Sequence, residues 1–264
     1  MLFLAKMEGK LQIKVLGSGT SQGVPVIACR CNVCQSNNPK DKRLRSSILF
    51  KWNNENFVID TGPDFRQQML REDVRSLRAV LYTHEHKDHV AGMDDVRAFN
   101  FVEKRNMELF CTVAVERALK REFFYAFEEN PYPGVPRINL NIIENRPFQL
   151  PDGPLVTPIL GYHYKMPVFG YRIKNFAYMT DVKTIPKEEM KKFRGVEVLI
   201  LDCLREEPHI SHLHLEAALQ IIEKVNPRKA YLTHISHTFG TDEEIKSKLP
   251  WHVEPAYDGL TINL

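Results

Sequence analysis

The run Thr83-His84-Glu85-His86-Lys87-Asp88-His89 follows directly on the apolar, strand-like Ala79-Val80-Leu81-Tyr82 and places four potential metal ligands within six residues. Imidazole nitrogen and carboxylate oxygen suit divalent first-row metals, and residues two apart on an extended segment share a side. His84 and His86 therefore project together, while the following turn brings Asp88 and His89 round. The density is enough for a pair of ions, and the pattern predicts a hydrolytic metal site.

A second cluster, Cys29-Arg30-Cys31-Asn32-Val33-Cys34, puts three thiols in six residues, while Cys111 and Cys203 stand alone. Pairing three close cysteines as disulfides leaves one over, so a structural zinc is the better expectation. Tetrahedral zinc needs a fourth ligand. His237, three residues past His234 in Thr233-His234-Ile235-Ser236-His237, is the candidate, and its loop would then be anchored at two metal sites.

H-x-H-x-D-H after a buried strand resembles the signature of the metallo-β-lactamase fold superfamily. The fold this resemblance implies is α/β, an αββα sandwich of two mixed β-sheets flanked by helices, with a one- or two-metal site at the sheet edges. By the same resemblance His163 in Gly161-Tyr162-His163-Tyr164, Asp181 in Tyr178-Met179-Thr180-Asp181 and His234 complete a dinuclear set. His84, His86 and His163 would hold one ion, Asp88, His89 and His234 the other, and Asp181 would bridge them. The glycine-rich Leu16-Gly17-Ser18-Gly19-Thr20-Ser21-Gln22-Gly23-Val24-Pro25, the C-x-C-x-x-C cluster, L-T-H-I-S-H and the closing Tyr257-Asp258-Gly259-Leu260 are together similar to the PhnP-type cyclic-phosphate phosphodiesterases. The matches run from about residue 13 to the C-terminus, with a gap in the middle.

Two metals about 3.5 to 4 Å apart can lower the pKa of a shared water and hold a phosphoryl oxygen while charge builds on it. An alkoxide leaving group needs a proton, and His212 in Ser211-His212-Leu213-His214 matches a family active-site histidine. Asp88 and His212 are thus the candidate catalytic residues, against the plainer reading of His212 as a helix-start residue. His214 falls where the nearest relatives would carry an acid. Asp60, ending Phe57-Val58-Ile59-Asp60, is a turn residue or, by the resemblance, an acceptor orienting a ligand histidine. Asp64, Asp94 and Asp95 are expected to be surface or capping residues, and His252 structural. The resemblance favours manganese at the catalytic pair, with zinc or iron as alternatives, while thiolates select zinc at the cysteine site.

With 43% hydrophobic and 26% charged residues, the 264-residue chain suits one globular domain, residues 1–264, with a full core. The apolar start Met1-Leu2-Phe3-Leu4-Ala5 breaks at Lys6, too short for a signal segment, and no apolar run spans a membrane, so a cytoplasmic protein is expected. The net charge of +3 is dispersed, which fits a small anionic phosphodiester partner better than bulk nucleic acid; a homodimer is the assembly to test.

Strands are predicted at Gln12–Leu16, Ser47–Trp52, Phe57–Asp60, Ala79–Tyr82, Val196–Leu201 and Lys229–Leu232. Helices are predicted over the stripes Val115, Ala118, Leu119, Phe123, Phe127 and Leu215, Ala218, Leu219, Ile222, Val225. Leu81-Tyr82-Thr83-His84 echoes Tyr231-Leu232-Thr233-His234, each a strand delivering a histidine, which suits two halves facing one cleft. Seven prolines from 131 to 158 predict loop with short edge elements. Gly17-Ser18-Gly19 and the following Thr20-Ser21-Gln22-Gly23 lack a phosphate-loop pattern and are read as a tight turn after the first strand. The rivals to a phosphodiesterase are a thioesterase, a lactamase, a tRNA-processing nuclease, a PqqB-like oxygenase and a non-enzymatic metal-binding module. The nuclease would need a long basic insertion, which is not seen, and the complete ligand set argues against the oxygenase.

Overall fold

The computed structural model describes residues 9–264, and the apolar start Met1–Ala5 lies outside them. The described chain opens with β1 (Leu11–Gly17), α1 (Asn32–Gln35), β2 (Ser47–Trp52), β3 (Glu55–Ile59), α2 (Phe65–Arg71), β4 (Ala79–Leu81) and α3 (Lys87–Val90). It continues through α4 (Arg97–Glu103), β5 (Met107–Cys111), α5 (Val113–Glu122), β6 (Ile138–Ile142), β7 (Phe148–Gln149), β8 (Leu155–His163), β9 (Met166–Ile173) and β10 (Phe176–Met179). β11 (Val198–Asp202), α6 (Leu215–Val225), β12 (Lys229–Thr233), α7 (Asp242–Ser247), β13 (Val253–Pro255) and β14 (Thr261–Asn263) complete it.

The described strands form two seven-stranded sheets, ordered β14-β1-β2-β3-β4-β5-β6 and β13-β12-β11-β10-β9-β8-β7. Both are mixed: β1 to β3 pair antiparallel and β3 to β6 parallel, and the second sheet repeats this, antiparallel through β10 and parallel from β10 to β13. Alternate side chains of each strand go to opposite faces. Ile13, Phe50, Phe57 and Leu81 from the first sheet meet Tyr171, Tyr178 and Ile200 from the second in one interior cluster. The other face of the first sheet, with Val58 and Val80, packs on Phe65, Phe99, Val115 and Leu119 of α2, α4 and α5. Leu199 and Leu201 on the outer face of the second sheet pack on Ala218 and Ile222 of α6. This is the expected αββα sandwich, and burial on both faces is why its central strands read as unbroken apolar runs.

The predicted strands are all present, with ends shifted by one or two residues. The stripe from Val115 continues as helix only to Glu122; a 3₁₀ turn carries Phe127's segment, so that stripe overran the helix. The proline-rich stretch holds edge strands β6 and β7, as expected, but Pro158 lies inside the nine-residue β8. Pro158 is tolerated because β7 pairs only as far as Val156, leaving that stretch of β8 at a free edge. The tight turn expected after the first strand is present, where the Gly23 N–H donates to the Thr20 carbonyl at 2.8 Å. At Gly17 a Cβ would lie 1.9 Å from the Arg45 carbonyl oxygen, so glycine there allows two backbones to pass closely.

Candidate metal centre

The site lies at the C-terminal ends of the parallel strands, where an open α/β sheet leaves loops free to converge. Asp60 follows β3, His84 follows β4, Asp181 follows β10, Asp202 ends β11 and His234 follows β12. Asp60, Asp181 and His234 hold left-handed backbone at φ 65°, 52° and 60°. Non-glycine residues there are strained by about 1 kcal/mol or more, a cost that recurs at functional sites.

The imidazole rings of His84, His86 and His163 converge, with centroids 4.7, 5.2 and 6.0 Å apart. Beside them His89 Nε2 stands 3.1 Å from both Asp88 Oδ2 and Asp181 Oδ2, and His234 Nδ1 stands 3.1 Å from the same Asp181 oxygen. The sequence-predicted residues His84, His86, Asp88, His89, His163, Asp181 and His234 are thus brought to one place, and Asp181 sits between the two halves of the set.

The hydrogen bonds behind the rings settle which nitrogens face the centre. Asp60 accepts from His89 Nδ1 at 2.8 Å and from the Thr83 N–H and Oγ1, both also at 2.8 Å; Thr83 Oγ1 in turn accepts from His84 Nδ1 at 2.9 Å. His163 Nδ1 donates to the Ser211 carbonyl at 2.8 Å. With Nδ1 used outward, Nε2 of each neutral ring keeps its lone pair for the centre. His84 Nε2 is buried without a hydrogen-bond partner, an arrangement that costs free energy unless a cation completes it. Contacts near 3.1 Å are the spacing expected of atoms sharing an ion at about 2.1 Å, so the donor set fits divalent metal.

Electrostatics agree. Burial opposes the charged forms throughout, but the neighbouring histidines hold Asp88 and Asp181 well below the carboxylate range. Burial, His89 and His86 hold His84 well below its ordinary value, as a neutral ligand requires. Burial would also lower His89, but Asp181, Asp60 and Asp88 raise it instead, so in the metal-free chain a proton occupies the position a cation would take.

His212 is nearly buried, its ring 4.4 Å from His163 and stacked 4.8 Å from His234. It lies three residues before α6, so it does not start the helix; His214 occupies that cap. His212 Nδ1 is 3.4 Å from Asp202 Oδ1, while Asp202 Oδ2 accepts from the Leu213 N–H at 2.9 Å. Burial would lower His212, but Asp202 raises it, which favours the protonated ring.

At the second cluster, Cys29 Sγ and Cys31 Sγ lie 3.4 and 3.5 Å from His237 Nδ1, and the potential ligand atoms of Cys29, Cys31, Cys34 and His237 all fall within 4.8 Å of one another. Tetrahedral zinc with Zn–S of about 2.3 Å and Zn–N of about 2.0 Å requires S···N edges of about 3.5 Å, so this donor set also fits. The hydrogen bond with His237 lowers Cys31 to about 6, while burial raises Cys34 to about 11. None of the five cysteines is in a disulfide.

Thr20, Ser46, Thr83, Ser211 and Asp202 escaped the sequence reading. Thr20 Oγ1 and Ser46 Oγ flank the His234 ring at 3.3 and 3.4 Å. Asp202 carried a usable signal, since it ends an apolar strand as Asp60 follows one. Asp64 sits at the N-cap position of α2, where its side chain pairs with Arg45 at 3.0 Å instead of capping the helix, and Asp94 accepts from Tyr125 Oη at 2.6 Å; neither joins the site.

A family model for the beta-lactamase superfamily domain matches residues 55–235. The crystal structure of a diphosphatase from the PhnP family superposes with a TM-score of 0.90, at 37% identity over 97% of each chain. The chain belongs to the metallo-β-lactamase superfamily and, within it, to the PhnP family. Zinc-bound PqqB from Methylobacterium extorquens, at 18% identity, shares the fold with a TM-score of 0.79 over 96% of this chain and all of that one. An octanoyltransferase of Porphyromonas gingivalis is 38% identical over 249 residues, covering 93% of this PhnP-family chain and 50% of that protein. The chain therefore spans about half the length of that curated relative.

Proposed function

We propose that this PhnP-family protein is a metal-dependent phosphodiesterase acting on a small cyclic or nucleotide-like phosphate. The observation that carries the reading is the convergence of His84 Nε2, buried without a hydrogen-bond partner, with His89 Nε2 and the carboxylates of Asp88 and Asp181. His84, His86 and His163 would hold one ion, Asp88, His89 and His234 the second, with Asp181 between them. When bound, the ions supply Lewis-acid polarisation of the phosphoryl group and an acidified water.

The chain's own groups do the rest. Asp60 and Thr83 orient His89 and His84; Asp88 holds the water for attack; His212, kept protonated by Asp202, faces the departing oxygen and gives it a proton. The diphosphatase at 37% identity supports phosphoryl over carboxyl, lactam or thioester substrates. The octanoyltransferase does not oppose it, since half of that protein lies outside the match and leaves room for the activity in its name. The catalytic ions are proposed to be manganese, with zinc or iron as alternatives, and the thiolate site to hold structural zinc. The partner is a small anionic phosphodiester rather than bulk nucleic acid, acted on by one cytoplasmic domain, with a homodimer as the assembly to test. Among the described residues no helix is long and apolar enough to cross a membrane.

The test is hydrolysis of bis(p-nitrophenyl) phosphate by manganese-loaded protein, with Asp88→Ala as the control for contaminating activity. Turnover that vanishes in the variant supports the reading. Absence of turnover with metal content verified overturns it.

A further inference from the structure

Two stretches marked in the sequence, the glycine-rich residues 16–25 and the closing residues 257–260, have no part in the reaction outlined above. The fold brings them together behind His234, where three segments run side by side. The Gly19 N–H donates to the Leu44 carbonyl at 2.8 Å, and the Ser46 N–H returns to the Gly19 carbonyl at 3.1 Å. On the other side the Ile235 N–H donates to the Ser18 carbonyl at 2.9 Å, and the Thr20 N–H to the Ile235 carbonyl at 3.1 Å. Gly19 thus bridges Arg45 on one flank and Ile235, the residue after His234, on the other. A Cβ at Gly19 would lie 2.8 Å from the Arg43 carbonyl oxygen, so glycine lets the segments close up.

Two hydroxyls reach the His234 ring from this platform. His234 Nδ1 is the nitrogen at 3.1 Å from Asp181 Oδ2, and the other nitrogen, Nε2, has Thr20 Oγ1 at 3.3 Å. Ser46 Oγ lies 3.4 Å from Nδ1 and spends its one hydrogen on the Gly19 carbonyl at 3.0 Å, which ties it to the platform. Where His89 has a carboxylate behind it, His234 has the Thr20 hydroxyl.

The platform in turn is held by Asp258, a nearly buried side chain. Its Oδ1 accepts from the Ser18 N–H and Oγ, both at 2.9 Å, and its Oδ2 accepts from the Leu44 N–H at 2.8 Å. Ser18 and Leu44 each stand two residues before a hydroxyl that touches His234, so one carboxylate spans both segments that carry them. Arg71 Nη1 stands 3.4 Å from Asp258 Oδ2 while Nη2 donates to the Leu16 carbonyl at 2.7 Å, fixing the carboxylate from outside.

We propose that Thr20 is a positioning residue for His234, set in place by Asp258, and that the two tune the affinity of one catalytic ion, the one assigned to Asp88, His89 and His234. This rests on the two-ion reading of the site. The potential ligand atoms of Asp88, His89, Asp181 and His234 lie within 4.8 Å of one another, so a His234 ring free to turn removes one of four groups from that ion and none of the histidines assigned to the other.

The experiment titrates manganese by calorimetry into the full chain with zinc kept at the thiolate site, for wild type, Thr20→Val, Thr20→Ser, Asp258→Asn and the double variant Thr20→Val/Asp258→Asn. Melting temperatures and hydrolysis of bis(p-nitrophenyl) phosphate are measured alongside. Loss of an outer partner of a ligand histidine costs about 10- to 100-fold in metal affinity. Thr20→Val is expected to weaken one manganese affinity by about tenfold and the other by less than about twofold, with Thr20→Ser close to wild type. Asp258→Asn is expected to weaken the same ion, and the double variant to be no weaker than the worse single variant, since members of one network do not add. Should Asp258→Asn not fold, Ser18→Ala, which removes one bond to the carboxylate, takes its place. Both affinities unchanged in Thr20→Val, additive losses in the double variant, or an equal loss at both ions that follows a fall in melting temperature would each overturn the positioning role. A wild type that binds two ions but cleaves no ester defeats the phosphodiesterase reading, and the titrations still decide the positioning role. A wild type that binds fewer than two ions overturns it.

Discussion

Asp60 Oδ2 lies 2.8 Å from His89 Nδ1, and both side chains are fully buried. The same carboxylate accepts from the backbone and hydroxyl of Thr83, whose oxygen accepts from His84, so one carboxylate sets the orientation of a histidine for each proposed ion.

Asp60→Asn keeps the shape but loses the charge that holds His89 in its ligating tautomer. Loss of such an outer partner weakens metal affinity by about 10- to 100-fold. Metal titration of the purified variant checks this; affinity equal to wild type would contradict the orienting role.

His212→Gln removes the proposed proton donor. A general acid contributes about 10²- to 10⁴-fold, so kcat should fall by that order on an alkyl phosphodiester and much less on a nitrophenyl ester, whose leaving group needs little help. Burial lowers His212, but Asp202 outweighs it and raises the ring above its ordinary 6.5, which favours the protonated acid. The alkyl-ester rate should decline only as pH rises through that raised value, and this alkaline limb should be absent in His212→Gln.

Metal-free and metal-loaded protein should respond to pH with opposite slopes. His89 is raised in the metal-free chain, so its ion pairs contribute fully below the ordinary 6.5 and are lost as pH climbs through the folded-state value. Asp88 and Asp181 are depressed, so their contribution is lost only on strong acidification. The metal-free melting temperature should fall between neutral pH and alkaline pH, while metal affinity rises over the same range because the ion displaces the His89 proton. Melts with chelator and manganese titrations across that range test both slopes; parallel behaviour would refute the competition.

Cys31→Ser removes a thiolate ligand from the second cluster. Folding free energy is coupled to a structural zinc, so the variant should lose zinc and several degrees of melting temperature, with a smaller effect on kcat per correctly folded site. Metal analysis and thermal melts check this, and wild-type stability with zinc retained would sink the assignment.

The sequence by itself determined which residues gather. His84, His86, Asp88 and His89 were legible as a unit because they fall within six residues, on the loop after β4 and the start of α3, and Cys29, Cys31 and Cys34 as another. The unbroken apolar runs at Ala79–Leu81 and Val198–Leu201 likewise announced strands covered on both sides. Short-range patterns hold this information because periodicity is a property of local backbone geometry.

Only the tertiary structure decided how the distant pieces meet. Asp202 and His212 come from a strand end and a loop ten residues apart, and Thr20 and Ser46 reach His234 from near the start of the chain. Hydroxyls and lone aspartates carry no periodic mark. Which of them orients a ligand histidine, and which nitrogen that histidine then presents, is fixed by packing two sheets face to face, where each buried polar group must find its partner.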